Sequence, residues 1–190
     1  MATEHLRSSL LVISALALLT LAGAAQAATP DQQQLVSDFE ARVSSYMKLR
    51  DTTAPTANEK PTKSPDKLMQ QRSDISSRVL SARSNAKQGD IFTPDIAIYF
   101  RHQIAATLDG PQGARIRASL RHAEPVKGRL QVNQKYPAHV PLQSTPPTLL
   151  LNLPTLPKDL EYRIVGQDLV LRDTGANLIV DFIPNVLPQS

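Results

Sequence analysis

The sequence predicts an α+β protein in which about four helices precede a small, mainly antiparallel sheet. Two observations support this fold class. Up to residue 123, apolar residues recur at three- and four-residue spacing, which is the period of an amphipathic helix. From residue 124 onwards, glycine and proline separate short apolar runs, and residues 160–183 alternate between apolar and polar as a three-stranded meander requires. Helices and strands segregated along a chain in this way indicate α+β.

Residues 1–27 have the pattern of a signal peptide. A short basic segment precedes an apolar run over residues 10–21, and the small residues Ala25 and Ala27 form a typical signal-peptidase site. We therefore expect cleavage between Ala27 and Ala28 and a periplasmic or secreted protein. The alternative, an uncleaved membrane anchor, is disfavoured because this apolar run is shorter than the ~20 residues that span a bilayer.

The composition limits the classes of function. The chain contains no cysteine, so neither disulfides nor lipid attachment at a cysteine is expected. The formal net charge is +4, and removal of the signal peptide leaves it unchanged because that segment holds one acidic and one basic residue. A mildly basic exported protein suits an anionic envelope component as partner, whereas its compartment argues against nucleic acid. No later segment has the length and apolarity of a stable transmembrane helix.

The part after the signal peptide, 28–190, is expected to form one domain. Its three sections are a first helix with a linker rich in proline and lysine (28–63), the remaining helices (64–123) and a β part (124–190). A hydroxyl residue followed by proline and aspartate occurs three times and is a helix-start signature. The predicted helices are Pro30–Arg50, Pro65–Lys87, Pro94–Leu108 and a shorter Pro111–His122.

About five strands are predicted in the β part. They are Arg129–Asn133, Thr148–Asn152, Leu160–Val165, Asp168–Arg172 and Asn177–Ile183. A two-residue turn at Gly166 and Gln167 would place Glu161 opposite Arg172, a favourable cross-strand pair.

The predicted meander has one apolar and one polar face. The apolar face comprises Tyr162, Ile164, Leu169, Leu171, Leu178, Val180 and Phe182. We expect the third helix to cover it with Tyr99, Phe100 and Ile104. The polar face comprises Glu161, Arg163, Arg172 and Asp181, which are expected to compensate one another's charge.

The sequence offers no motif for catalysis or for a cofactor. The histidines after the signal peptide, His102, His122 and His139, lack metal-binding spacing, and neither a nucleophile motif nor a phosphate-binding glycine loop occurs. No metal and no cofactor are therefore expected. Asp173 borders a turn, where aspartate is common, and Asp181 is expected to form an ion pair with an arginine.

A basic strip after the third helix is the best candidate for a binding surface. It comprises Arg115, Arg117, Arg121, Lys127 and Arg129. Because this density of charge is also typical of a solvated face, the strip predicts an anionic-ligand surface without specifying the ligand. The partner would be another envelope protein or an anionic envelope component.

Three segments resemble those of a family of small exported bacterial proteins with no assigned function. They are residues 87–94, residues 147–153 and a C-terminal block formed by 160–173 and 176–184. The resemblance covers most of the chain after the signal peptide, and the C-terminal block is its most specific part. It implies export and a shared fold, and it carries over no catalytic residues.

Two hypotheses about function follow from the sequence. The first is an exported, soluble, non-enzymatic module that binds another component of the envelope, and we favour it because no catalytic constellation is found. The alternative is a small exported hydrolase that uses carboxylates or a histidine in a cleft between helices and sheet. That alternative requires Asp173, Asp181 and His102 to converge on one pocket.

Overall fold

The computed structural model describes residues 30–53, 64–120, 128–136 and 145–187. The elements are α1 (Pro30–Thr53), α2 (Pro65–Ala82), α3 (Pro94–Asp109), α4 (Gly113–Leu120), α5 (Pro147–Leu150), β1 (Leu160–Val165), β2 (Asp168–Asp173) and β3 (Leu178–Ile183). Helices in the first half followed by an antiparallel meander confirm the predicted α+β class. The predicted signal peptide lies outside the described residues. Within them, no helix is long and apolar enough to cross a membrane.

The three proline signatures mark helix starts, whereas several other helix boundaries differ from prediction. α1 extends to Thr53 rather than ending at Arg50. At α3, the Thr93 hydroxyl accepts a hydrogen bond from the Ile96 amide and so caps the helix. α2 ends at Ala82 rather than Lys87, because the backbone of Arg83 leaves the helical conformation, with a φ of −127° and a ψ of 41°. The Arg83 carbonyl accepts a hydrogen bond from the Asn133 side chain at 2.8 Å, and its guanidinium donates to the carbonyl of Val180. α4 begins at Gly113, where a Cβ would overlap the backbone carbonyl of Leu108.

The three strands pair in the order β1-β2-β3, and the β1–β2 register is the predicted one. Gly166 has a φ of 63°, as the two-residue turn requires, and Glu161 lies opposite Arg172. Between β2 and β3 a β-bulge intervenes: Leu171 pairs with Asp181, but Arg172 pairs with Ile179. One extra residue in β3 therefore changes which side chains share a face.

The bulge overturns two predictions about β3. Residues directly opposite each other share a face of the sheet, so pairing with Leu171 places Asp181 on the helix-covered face rather than the polar one. Phe182 moves to the other face, where it packs against a small second cluster. That cluster comprises Tyr136, Val165, Val170 and Ile179, with Leu130 and Phe182 beside it.

The main core lies between the helices and the other face of the sheet. Phe100 and Ile104 of α3 are fully buried in it, as expected, and Tyr99 is half-buried. α1 also contributes to this core, because the ring of Phe39 lies 5.1 Å from that of Phe100 and 6.5 Å from that of Tyr162. Such aromatic contacts add to the burial of apolar area that holds helices and sheet together.

Two predicted strands do not form. In the segment 129–133, Asn133 adopts a φ of 66° and turns the chain, and only an isolated bridge between Lys135 and Leu178 follows. The segment 148–152 begins as the single helical turn α5 because Pro147 occupies a first helical position, which suits its fixed φ. Around this turn Leu149 is buried, Leu150 is half-buried and Leu151 is exposed.

Asp181 joins the sheet to the connection between α2 and α3. Its carboxylate is fully buried and accepts hydrogen bonds from the amides of Gly89 at 3.0 Å, Ile91 at 2.9 Å and Phe92 at 2.9 Å. The amide of Phe182 donates to the same carboxylate at 2.8 Å. Asp181 was predicted to pair with an arginine, but hydrogen bonds from four backbone amides stabilise its carboxylate instead.

Asp173 joins the sheet to α1. Its buried carboxylate accepts from the Tyr46 hydroxyl at 2.8 Å, from Arg50 Nε at 2.7 Å and from the Ala176 amide at 2.8 Å. Arg50 also lies against Gly175, where a Cβ would collide with the guanidinium. Asp173 therefore does more than close a turn, because it anchors the C-terminal half of α1.

Substitution of Asp181 by Asn should lower the free energy of unfolding by about 3 kcal/mol. The neutral amide loses the charge and turns an NH₂ group towards backbone donors. Urea unfolding followed by circular dichroism measures the change. Asp168→Asn is the matched control, since the Asp168 carboxylate accepts one exposed hydrogen bond from the Asn185 amide. Equal effects of the two substitutions would contradict the structural role of Asp181.

Substitution of Tyr46 by Phe should change how stability depends on alkaline pH. Burial, the charge of Asp173 and the hydrogen bond to it raise the pKa of Tyr46 above its ordinary value near 10. The unfolded state therefore loses this proton first, and stability falls as the pH rises above about 10. Tyr46→Phe should cost about 1.5 kcal/mol at neutral pH and make the alkaline decline shallower. Urea unfolding measured between neutral and alkaline pH tests this prediction. It would be contradicted if the free energy of unfolding fell equally steeply with pH in Tyr46→Phe and in the unmodified protein.

Candidate binding cleft

A surface cleft lies between β1 and the segment that precedes it. Its volume is about 520 Å³. The lining residues are Thr145, Leu150, Leu151, Leu153, Pro154, Thr155, Leu156, Leu160, Glu161, Tyr162 and Arg163. We call it the leucine cleft, because leucines from α5 and the following loop form most of its wall.

The wall is held in place by α5 and by two hydrogen bonds. Leu149 is fully buried and anchors α5, which leaves Leu151 on the opposite side with 74% of its surface exposed. The Asn152 side chain donates to the Thr107 hydroxyl of α3 at 3.2 Å. The Tyr162 hydroxyl donates to the carbonyl of Pro154 at 3.0 Å, which fastens the loop to the sheet. Leu151 therefore presents exposed apolar area at the cleft.

The floor of the cleft is the free edge of β1. The amides of Leu160 and Ile164 donate away from β2, to the Pro157 carbonyl at 2.9 Å and to the Thr145 hydroxyl at 3.1 Å. Because the direction of the amides alternates along a strand, Tyr162 between them faces the cleft as well. The opposite edge of the sheet is covered, since Ile179 exchanges hydrogen bonds with the segment 133–134.

One rim of the cleft carries a compact ion-pair cluster. The Glu161 carboxylate accepts two hydrogen bonds from Arg163, at 2.7 and 2.8 Å, and one from Arg172 at 2.8 Å. The guanidinium of Arg172 lies 4.4 Å from the centre of the Tyr136 ring. Burial alone would raise the pKa of Glu161, but the hydrogen bonds and charges of the two arginines outweigh it and lower the pKa. With two arginines and one carboxylate, the cluster carries a net positive charge.

The ionisable groups of the leucine cleft are engaged in hydrogen bonds within the protein. Glu161, Tyr162 and Arg163 are the ionisable groups in its lining, and each is held by hydrogen bonds to neighbouring groups of the protein. No histidine lines the cleft. In the part of the chain that the structure describes, no three histidine, aspartate or glutamate residues are placed to hold a metal ion.

The predicted basic strip is only partly described, because Arg121 and Lys127 lie outside the described residues. Arg115 and Arg117 are exposed on α4, but two residues correspond to about 200° around a helix, so they point to different sides. Arg117 donates to the Leu108 carbonyl at 2.7 Å. Arg129 is exposed on the segment beside β3. None of these three arginines forms an ion pair within the described ranges, and their binding role stays a prediction.

The groups required by the hydrolase alternative serve other contacts. Asp173 binds α1 and Asp181 binds the segment 89–92, each through a fully buried carboxylate. His102 is exposed on α3 and lines a different groove of about 430 Å³, together with Asp31 and Asp95. Neither buried carboxylate lines that groove. Asp173, Asp181 and His102 therefore do not line one common pocket in the described residues.

Comparisons of the chain with protein-family models, with curated proteins and with solved structures find no match.

The leucine cleft was missed by sequence reasoning, although its residues carried a signal. The run from Thr148 to Asn152 lies between prolines and is predicted as a strand, which gives no reason to expect a helical turn there. Helical spacing from Leu149 puts Leu153 on the same side and Leu151 opposite, and the structure buries the first two and exposes the third.

Substitution of Glu161 by Gln should lower the free energy of unfolding and change how it depends on pH in the acid range. Because the pKa of Glu161 is lowered in the folded state, its contribution is present at neutral pH and is lost as the pH falls. We expect a loss of about 1 kcal/mol at neutral pH that shrinks towards pH 3. Urea unfolding over this pH range measures it. Glu40→Gln, at an exposed residue of α1, is the control and should change neither quantity; similar profiles for both would contradict the role of Glu161.

Proposed function

We propose that this protein is an exported, non-enzymatic module of the cell envelope that binds a partner protein through the leucine cleft. The observation that carries the proposal is that one cleft combines a leucine wall, on which Leu151 is exposed, with the outward-facing edge of β1 at Tyr162. Both features favour contact with another chain: Leu151 offers apolar area, and the edge offers main-chain hydrogen bonds.

Binding rather than turnover is supported by how the ionisable groups are used. The carboxylates of Asp173 and Asp181 accept hydrogen bonds that hold the fold together. Glu161 is neutralised by two arginines, so it is poorly suited to take up a proton. Export is supported by the signal-peptide pattern of residues 1–27 and by the resemblance of the C-terminal block to small exported proteins.

The basic residues supply a second, electrostatic contribution in this proposal. Arg115, Arg117 and Arg129, with Arg121 and Lys127 outside the described residues, add positive potential to a chain of net charge +4. Exposed charges of this kind accelerate encounter with an anionic partner more than they strengthen the final complex. The leucine cleft is therefore the contact, and the basic residues guide the approach.

Substitution of Leu151 by Asp should reduce recovery of the partner about tenfold in a pull-down from envelope extract, because a charge replaces apolar contact area. Leu68→Asp is the matched control, since Leu68 is also exposed, at 48%, but lies on α2 outside the cleft. Quantitative mass spectrometry of the bound fraction measures the effect. N-terminal sequencing of the bait, expected to begin at Ala28, checks export in the same preparation.

Three outcomes would contradict the proposed function. Equal recovery with Leu151→Asp and the unmodified protein would remove the leucine cleft as the contact. Loss of binding only with Arg115→Glu and Arg129→Glu would assign the contact to the basic residues instead. A bait that still carries residues 1–27 would contradict export by a cleaved signal peptide.

A further inference from the structure

We propose that the partner binds as an extended segment that adds to β1 as a fourth, antiparallel strand, with Tyr162 as the residue that exchanges hydrogen bonds with it. This inference rests on the proposed function and specifies how the leucine cleft is used. The partner segment would alternate apolar residues with acidic or neutral polar ones.

The alternation of inward- and outward-facing backbone groups along β1 supports strand addition. In the β1–β2 hairpin, Val165 pairs with Asp168 across the two-residue turn, so the hydrogen-bonded residues of β1 are 165, 163 and 161. Residues 160, 162 and 164 therefore present their N–H and C=O groups to the other side. Pro157 and Thr145 accept from the outer two amides, and the amide of Tyr162 is left facing the cleft.

The same geometry limits the length of the added strand. The hydrogen bonds at Leu160 and Ile164 bracket an opening of about 13 Å at ~3.3 Å per residue. Within it, Tyr162 can exchange both its N–H and its C=O with one partner residue. A short partner segment is therefore sufficient, and the leucine wall contributes the remaining contact.

The surroundings of Tyr162 define the chemistry of the partner. A partner residue directly opposite Tyr162 has its side chain on the same face, towards Leu150 and Leu153, so an apolar residue fits there. The side chains of the partner residues on either side of it point to the other face of the sheet, towards Glu161 and its two arginines. Because this cluster is net positive, an acidic residue fits beside it and a basic one does not.

A hydrocarbon chain is a poorer occupant of the leucine cleft. The polar main chain of Tyr162 faces the opening, and a lipid tail would leave its N–H and C=O groups without partners. An extended peptide satisfies both groups. The observations therefore favour a polypeptide segment.

The test uses a synthetic heptapeptide of alternating valine and glutamate, blocked at both ends, and the ¹⁵N-labelled protein. Two variants of the peptide carry N-methyl groups either on the valine amides or on the glutamate amides. In antiparallel addition the valine opposite Tyr162 donates its N–H to the protein, so methylation of valine should weaken binding about tenfold. Methylation of glutamate, whose N–H groups face solvent, should leave the affinity within about twofold.

Nuclear magnetic resonance supplies the readout. Addition of the unmethylated peptide should shift the Tyr162 amide resonance and slow its hydrogen exchange about tenfold. Equal binding of both methylated peptides, or an unchanged Tyr162 amide, would overturn strand addition. If only the peptide with N-methylated glutamates lost affinity, the antiparallel arrangement would be wrong.

The same titration separates this inference from the proposed function. If the methyl resonances of Leu150 and Leu151 shift while the Tyr162 amide does not, the leucine cleft binds a segment by side-chain contact alone and only strand addition is wrong. In another outcome, Leu151→Asp abolishes recovery of the partner in the pull-down, but the peptide shifts no resonance of the cleft. Strand addition is then wrong, and the proposed function stands.

Discussion

The buried carboxylate of Asp181 is the contact on which the arrangement of helices over the sheet depends. An ionised group without access to water is tolerated only when hydrogen bonds replace its hydration, and here backbone amides do so. These amides belong to the segment that leads from α2 into α3. Their common acceptor places Phe92 in the core and sets the position at which Thr93 begins α3.

A second buried carboxylate, on the same face of the sheet, completes this attachment. Asp173 binds α1 through Tyr46 and Arg50, while the ring of Phe39 on the same helix stacks on that of Phe92 at 5.6 Å. The hydrogen bonds have strict distance and angle requirements and so define where each helix lies, while the aromatic contacts supply buried area. β1, which forms the floor of the cleft, belongs to the same sheet.

Much of the fold could be predicted from local patterns, and the misses have identifiable causes. The turn at Gly166 and the β1–β2 register follow from alternation and turn chemistry, and both are confirmed. The bulge in β3 leaves no such trace, because one additional residue keeps the composition apolar while moving Asp181 to the helix side. The cleft was not predicted because a leucine run between prolines is compatible with either a short strand or a helical turn.

The hydrogen bonds from Thr145 and Pro157 to the edge of β1 also bear on self-association. A sheet with a long open edge can recruit further copies and grow into fibres, and natural proteins shorten or cover such edges. Here both ends of the edge are occupied and the opposite strand is covered by residues 133–136. Two copies that met edge to edge would find too few main-chain groups to propagate a sheet, so the opening admits one short guest and discourages polymerisation.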